Sequence, residues 1–228
     1  MTLKKVLSEI SYKIQSAQRK AGFGHQVEIV GVTKTKPFKT IIESYQCGLR
    51  SIGENRVQEA NKKFESFKKM PGLKKRFIGH LQTNKVKKCM DLFDTIDSVD
   101  SLKLIKKISK QAEEKGVLFP VLLEVNTSEE SQKYGFLPNQ IDEMLKCFDE
   151  GSVIIDGLMT IGPLSQDKQK TRTSFKQLKK LQTTINKHLG TNQLKTLSMG
   201  MSGDFEIAIE EGSTMIRVGT ALYGKRYN

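Results

Sequence analysis

From Val27 to Val32 the chain reads Val-Glu-Ile-Val-Gly-Val, which places apolar residues on both alternating faces of one short stretch. A strand of that kind is covered on both sides, as in parallel α/β sheets and barrels and unlike half-wet antiparallel sheets. The run continues to Thr35 and stops at Pro37, with a helical pattern just beyond. Lys34 shares the side of Val30 and Val32, so it falls at the carboxyl end of a buried element. Burial disfavours a charged ammonium, and a neutral amine is what Schiff-base chemistry needs. Lys34 and Lys36 read equally as residues that mark where a strand meets water.

The same alternation runs to the end of the chain. Strands are expected at Val27–Thr35, Ser51–Gly53, Arg76–Gly79, Thr95–Val99, Phe119–Asn126, Val153–Ile161, Thr196–Met199 and Met215–Leu222. Helical patterns separate them: Phe38 to Cys47 closed by Gly48, Arg56 to about Phe67, Asn84 to Phe93, a segment capped by Asp100 or Ser101, Pro138 to Glu150, Asp167 to Leu189, and Phe205 to Glu211. An amphipathic helix precedes them all, with Leu3, Val6, Leu7, Ile10 and Ile14 at helical spacing. No hairpin turn interrupts the series, so the predicted fold is α/β: a closed, TIM-like (β/α)8 barrel with an extra N-terminal helix. A doubly wound open sheet fits less well, because no Gly-rich dinucleotide turn follows the first strand. No linker divides the 228 residues, which read as one domain spanning 1–228.

Composition narrows the function classes. Lys and Arg number 38 against 25 Asp and Glu, a formal charge of +13 that favours anionic ligands. The basic residues, among them Lys62, Lys63, Lys68, Lys69, Lys87 and Lys88, fall mostly on outward helical positions. No aromatic residues interleave them, and Trp is absent. That is the pattern of solvated helix faces, so neither a nucleic-acid groove nor a membrane surface is expected as partner. Cys47, Cys89 and Cys147 are odd in number and lack a Cys-x-x-Cys pair, so no disulfide framework or zinc site is expected and a cytoplasmic setting is. The first residues do not read as a signal peptide, and no apolar run reaches membrane-spanning length.

In a (β/α)8 barrel, function gathers on the loops after the carboxyl ends of the strands. Those ends supply Lys34, Asn55, His80, Asn126, the run Ser198 to Ser202, and Arg217 with Gly219 and Thr220. They include no carboxylate or histidine cluster suited to a metal. Ser198-Met-Gly-Met-Ser-Gly203 and Arg217-Val-Gly-Thr220 have the makings of an anion cradle after the last two strands. A reactive lysine opposite a phosphate cradle describes a pyridoxal phosphate site. Each short motif by itself also reads as an ordinary loop.

Five segments together resemble one family. Val32-Thr-Lys34-Thr-Lys-Pro37, Gly53-Glu-Asn-Arg-Val-Gln-Glu59, Phe77-Ile-Gly-His-Leu-Gln-Thr-Asn-Lys85, Leu197-Ser-Met-Gly-Met-Ser202 and Val218-Gly-Thr-Ala-Leu-Tyr-Gly224 are similar to the signature segments of the pyridoxal phosphate homeostasis proteins, in that family's order. Thr33 stands where serine is common and Arg56 where tyrosine is common. The resemblance implies a barrel like the N-terminal domain of alanine racemases and pyridoxal 5'-phosphate as cofactor, with Lys34 carrying it as a Schiff base. It further implies that Ser202, Gly219 and Thr220 hold the phosphate, with Ser198 an alternative to Ser202, that Arg217 faces the pyridine nitrogen, and that Asn55 lies beside the ring.

A cation at the ring nitrogen makes a poorer electron sink than a carboxylate partner allows. Two-base racemisation needs a proton donor on each face of the cofactor, and Lys34 is the one evident; Tyr134 and Lys133 lie in the loop after the fifth strand. The racemases use a second, β-rich domain, for which the chain ending at Asn228 leaves no room. The resemblance therefore implies a non-catalytic, monomeric carrier in vitamin B6 homeostasis that buffers pyridoxal phosphate or delivers it, with pyridoxal-phosphate-dependent apoenzymes as the partners. The alternative is a racemase or lyase of weak activity.

Overall fold

A computed structural model describes residues 2–64 and 70–224. It forms a closed barrel of eight parallel strands in sequential order: β1 (Glu28–Val32), β2 (Ser51–Glu54), β3 (Lys74–Phe77), β4 (Thr95–Val99), β5 (Phe119–Glu124), β6 (Val153–Met159), β7 (Thr196–Met201) and β8 (Met215–Val218). The last strand closes on the first, with Glu28 opposite Met215 and Val30 opposite Arg217. Around the strands run α1 (Leu3–Ala21), α2 (Phe38–Gln46), α3 (Val57–Phe64), α4 (Val86–Leu92), α5 (Leu102–Glu114), α6 (Ile141–Lys146), α7 (Lys168–Leu189), α8 (Phe205–Glu210) and α9 (Thr220–Tyr223). The expected end of the third helix near Phe67, with Lys68 and Lys69, lies outside the described residues.

The sequence pattern accounts for how the helices seat. On α5, Leu104, Ile105, Ile108 and Ala112 are buried on one face, and Ser101 Oγ caps the helix by accepting the Leu104 N–H at 3.3 Å, a contact of about 1 kcal/mol. On α1, Ile10, Ile14 and Ala17 are buried, while Leu3, Val6 and Leu7 pack partly covered against the same core. The extra helix is fastened to α8 by Lys13–Glu206 at 3.2 Å and Lys20–Glu210 at 2.5 Å. These exposed pairs set orientation more than stability.

The ends of the first and last strands differ from expectation where the site begins. The first strand stops at Val32, so Lys34 stands in a turn beyond it rather than on the strand. The last strand stops at Val218, and residues expected to extend it wind instead into α9. Gly219 thereby becomes the residue before a helix N-terminus.

Inside the amino-terminal half of the barrel, Arg76 spans strands that are not neighbours. Its guanidinium donates to both Asp97 oxygens at 3.2 Å, to both Glu28 oxygens at 3.1 Å, and to Ser51 Oγ at 2.9 Å. Burial raises the pKa of Asp97, and Arg76 opposes that rise. A buried set of this kind is costly to break, because the surviving charge has no water to turn to.

Candidate functional site

The turn after β1 is the most constrained backbone near the site. Thr35 has φ 63°, a left-handed conformation that a β-branched residue adopts only when its surroundings force it. Glu59 Oε1 accepts the Thr35 N–H at 2.6 Å, and Lys36 N–H donates to Thr33 O at 2.9 Å. Beneath the turn, Lys63 Nζ donates to Thr33 O at 2.9 Å and to Glu54 Oε1 at 2.6 Å, while Thr33 Oγ1 donates to the same Glu54 oxygen at 2.6 Å. Glu54 is fully buried and its Oε2 has no hydrogen-bond partner. Burial raises its pKa against the pull of Lys63 and Thr33. Lys36 Nζ reaches across to Tyr223 O at 3.2 Å, which fastens the Lys34 turn to the end of α9.

On the far side, Ser202 Oγ accepts the N–H of Gly219 at 3.2 Å and of Ala221 at 3.0 Å. Two amides at a helix start thus converge on one oxygen, the arrangement that binds anions. Between the two sides sits Arg217 at 4% exposure. One terminal nitrogen donates to Ser198 O and Ser198 Oγ, both at 2.8 Å, and the other to Thr160 O at 2.8 Å. Burial lowers its pKa, opposed by Glu124, Asp97 and Asp204, and a guanidinium remains charged all the same. Asn55 follows β2, and Gly79 makes its position possible: a Cβ at Gly79 would lie 2.3 Å from Asn55 O.

These residues line one cavity of about 530 Å³ at the carboxyl end of the barrel. Lys34, Asn55, Ser202, Arg217, Gly219 and Thr220 all face it. Ser198 lies below, bonded to Arg217, and does not line it. Asn126 is likewise turned away, its amide donating to Glu130 O at 2.9 Å. A larger hollow of about 950 Å³ lies at the other end, lined by Leu7 of α1 and by Arg50, Lys74 and Lys195. It adjoins the amino ends of the strands, where barrels of this type carry stability rather than chemistry.

Four further residues line the cavity, which the strand pattern hid or left unassigned. Glu124, at the end of β5, was concealed by a strand expected to run on to Asn126; an acidic residue closing the apolar run Val121-Leu-Leu was the available signal. The residue is 6% exposed, and burial raises its carboxyl pKa to about 7, with Arg217 pulling down and Asp100 pushing up. At the mouth, the rings of His80 and Tyr134 stack with centroids 3.6 Å apart and planes at 13°. His80 Nδ1 is 2.9 Å from Asp100 Oδ2, which fixes the ring's tilt. Lys133 also lines the cavity, but its ammonium donates to Gly162 O at 2.7 Å and Ser128 Oγ at 3.0 Å and pairs with Glu130 at 2.8 Å. Among the described residues no group of three or more His, Cys, Asp or Glu is placed to hold a metal ion, and no helix is long and apolar enough to cross a membrane.

Comparison with known proteins identifies the fold and the family. The family described as the alanine racemase N-terminal domain matches residues 6–227. The pyridoxal phosphate homeostasis protein of Aquifex aeolicus is 41% identical over 222 residues, covering 96% of each chain. That of Vibrio cholerae is 36% identical over 225 residues, covering 96% of this chain and 94% of its own. The solved structure of PipY from Synechococcus elongatus with pyridoxal phosphate bound superposes with a TM-score of 0.85 at 32% identity, covering 98% of this chain and all of that one. An alanine racemase of Clostridium difficile shares the fold at 16% identity and a TM-score of 0.75; all of this chain lies on 56% of that one. By sequence along nearly its whole length, the chain belongs to the family of pyridoxal phosphate homeostasis proteins.

Proposed function

We propose that this protein binds pyridoxal 5'-phosphate in the cavity at the carboxyl end of the barrel, tethered through Lys34 Nζ, and that it buffers or delivers the cofactor in the cytoplasm. The observation that carries the reading is convergence: six residues from the ends of β1, β2, β7 and β8 line a single cavity. The donor set fits the group. Ser202, Gly219 and Thr220 hold the phosphate at the start of α9, where two N–H groups already meet one oxygen. Arg217 presents a fixed cation to the ring nitrogen, and Asn55 flanks the ring. When bound, the cofactor supplies an aldehyde that reacts reversibly with amines and a ring that withdraws electrons.

The surrounding residues favour holding the cofactor over turnover. Arg217 neither protonates the ring nitrogen nor accepts from it, so electron withdrawal is weak. Lys133 is committed to Gly162, Ser128 and Glu130, and Tyr134 to its stack on His80. Relatives named as homeostasis proteins and a solved neighbour with pyridoxal phosphate bound support the same reading. We take the protein to act as a monomer, with pyridoxal-phosphate-dependent apoenzymes as recipients and with no nucleic acid or membrane as partner.

The test is titration of cofactor-free protein with pyridoxal phosphate, followed by absorbance, alongside Lys34→Ala. One site per chain is expected, with its shifted absorbance band lost in the variant. Incubation with a panel of amino acids in deuterated water is expected to give no α-proton exchange at turnover rates. An unchanged band in Lys34→Ala contradicts the tether, and rapid exchange contradicts the carrier role.

A further inference from the structure

The cavity carries one carboxyl group, Glu124, that the cofactor reading above does not use. It stands at the end of β5, shares the lining with Lys34 and Arg217, and is nearly sealed from bulk water. The cationic donors that could greet a carboxylate are otherwise engaged among the described residues. Arg217 spends both terminal nitrogens on Ser198 and Thr160. Lys133 is held by Gly162, Ser128 and Glu130. Lys36 is turned away to Tyr223 O. Lys34, on the reading above, is taken up by the cofactor, whose phosphate adds further negative charge.

We propose that Glu124 is a specificity-determining residue, which admits to the tethered cofactor amines without a carboxylate, of the kind a lysine side chain offers, and turns away α-amino acids. The inference rests on the cofactor reading above and deepens it by naming the amine class. An arriving ammonium meets a buried carboxylate, whose attraction is screened less than it is in bulk solvent. An α-carboxylate meets Glu124 instead as a like charge, and the terminal nitrogens of Arg217, the nearby cation, are already bonded to Ser198 and Thr160 rather than turned to greet it. In the exchange, the incoming ammonium gives up two protons as its nitrogen bonds the aldehyde carbon, and the Lys34 nitrogen, whose bond to that carbon breaks, takes up two and leaves as an ammonium. No oxidant or reductant is consumed. A cavity with this bias hands its cofactor to protein lysines and resists being stripped by free amino acids.

The charges that face Glu124 are Arg217 from β8, Asp100 after β4, and Lys34 and Lys133 from the neighbouring loops, with His80 and Tyr134 at the mouth. Because its carboxyl titrates near neutrality, discrimination is expected to grow as the pH rises from 6 to 8.

The experiment loads intact protein with pyridoxal phosphate and confirms by borohydride reduction that Lys34 holds it. The loaded protein then meets isopropylamine, Nα-acetyl-lysine amide or alanine, and loss of the protein-bound absorbance band is followed, with rates referred to the free-base amine. Both carboxylate-free amines are expected to displace the cofactor about tenfold faster than alanine, and Glu124→Gln to bring the three within about twofold. Equal rates in the wild type, or an undiminished difference in a folded Glu124→Gln variant, would overturn the proposal. Should that variant fail to fold, the wild-type ratio decides between pH 6 and pH 8: growth supports the role of Glu124 and a flat ratio removes it. Absence of a Lys34 adduct at the outset is a failure of the cofactor reading instead, and is seen before any amine is added.

Discussion

Ser202 Oγ accepts the Gly219 N–H at 3.2 Å, which joins the end of β7 to the first turn of α9 through a single oxygen. The Ala221 N–H meets the same oxygen at 3.0 Å. The hydroxyl thus holds in place two amides suited to a phosphate oxygen and offers its own proton as a further donor. Ser202→Ala is expected to weaken pyridoxal phosphate binding by roughly tenfold or more, the range for hydrogen bonds to charged groups, and to leave binding of unphosphorylated pyridoxal nearly unchanged. Paired fluorescence titrations read both. Equal weakening of the two ligands would mean that Ser202 serves the fold and not the phosphate.

The turn that presents Lys34 depends on a buried charge pair. Lys63 and Glu54 side chains are 6% and 0% exposed, with Nζ and Oε1 2.6 Å apart. Lys63→Met leaves Glu54 without its cation, a loss of about 3–5 kcal/mol for a buried pair of this kind. Burial already raises the pKa of Glu54, so without Lys63 the carboxyl protonates still more readily. The destabilisation is therefore expected to be greatest at pH 8 and to shrink towards pH 5, where the neutral acid needs no partner. Urea unfolding at the two pH values checks this, and an equal loss at both would contradict it.

Glu124 gives the folded protein a pH dependence of its own. Its pKa rises from the ordinary 4.5 to about 7 on folding, so between those values the native state binds more protons than the unfolded chain. Stability consequently falls as pH rises through that window and stays at the lower level above it. The shift corresponds to about 3 kcal/mol, with the opposing pull of Arg217 already included. Glu124→Gln is expected to raise the melting temperature of cofactor-free protein at pH 8 by several degrees and to flatten the slope between pH 5 and pH 8. A variant that melts no higher at pH 8 and keeps the wild-type slope would show that the buried carboxyl is not its source.

Much of the barrel was legible because strands such as β1 and β5 carry apolar residues on both faces and helices such as α5 carry a stripe at 3.6-residue spacing, as in Ile105, Ile108 and Ala112. The lining of the cavity was legible through strand ends, since residues just after a strand mostly face the carboxyl mouth, as Lys34, Asn55 and Gly219 do and Asn126 does not. What local pattern does not carry is conformation imposed from elsewhere. Thr35 takes φ 63° because Glu59 and Lys63 of α3 hold the turn around it, and Thr220 to Tyr223 coil into α9 after a strand they seemed to prolong. The Glu28–Arg76–Asp97 set is invisible to pattern for a similar reason: its members sit on β1, β3 and β4, and Glu28 reaches Arg76 past the intervening β2 only once the sheet is assembled.

Borohydride reduction of the loaded protein, followed by peptide mass mapping, tests whether Lys34 is the covalent anchor of pyridoxal phosphate. A single pyridoxyl-phosphate adduct is expected on the peptide containing Lys34, and none in Lys34→Ala. An adduct on Lys36, Lys133 or any other lysine in place of Lys34, or no adduct at all, would contradict the account.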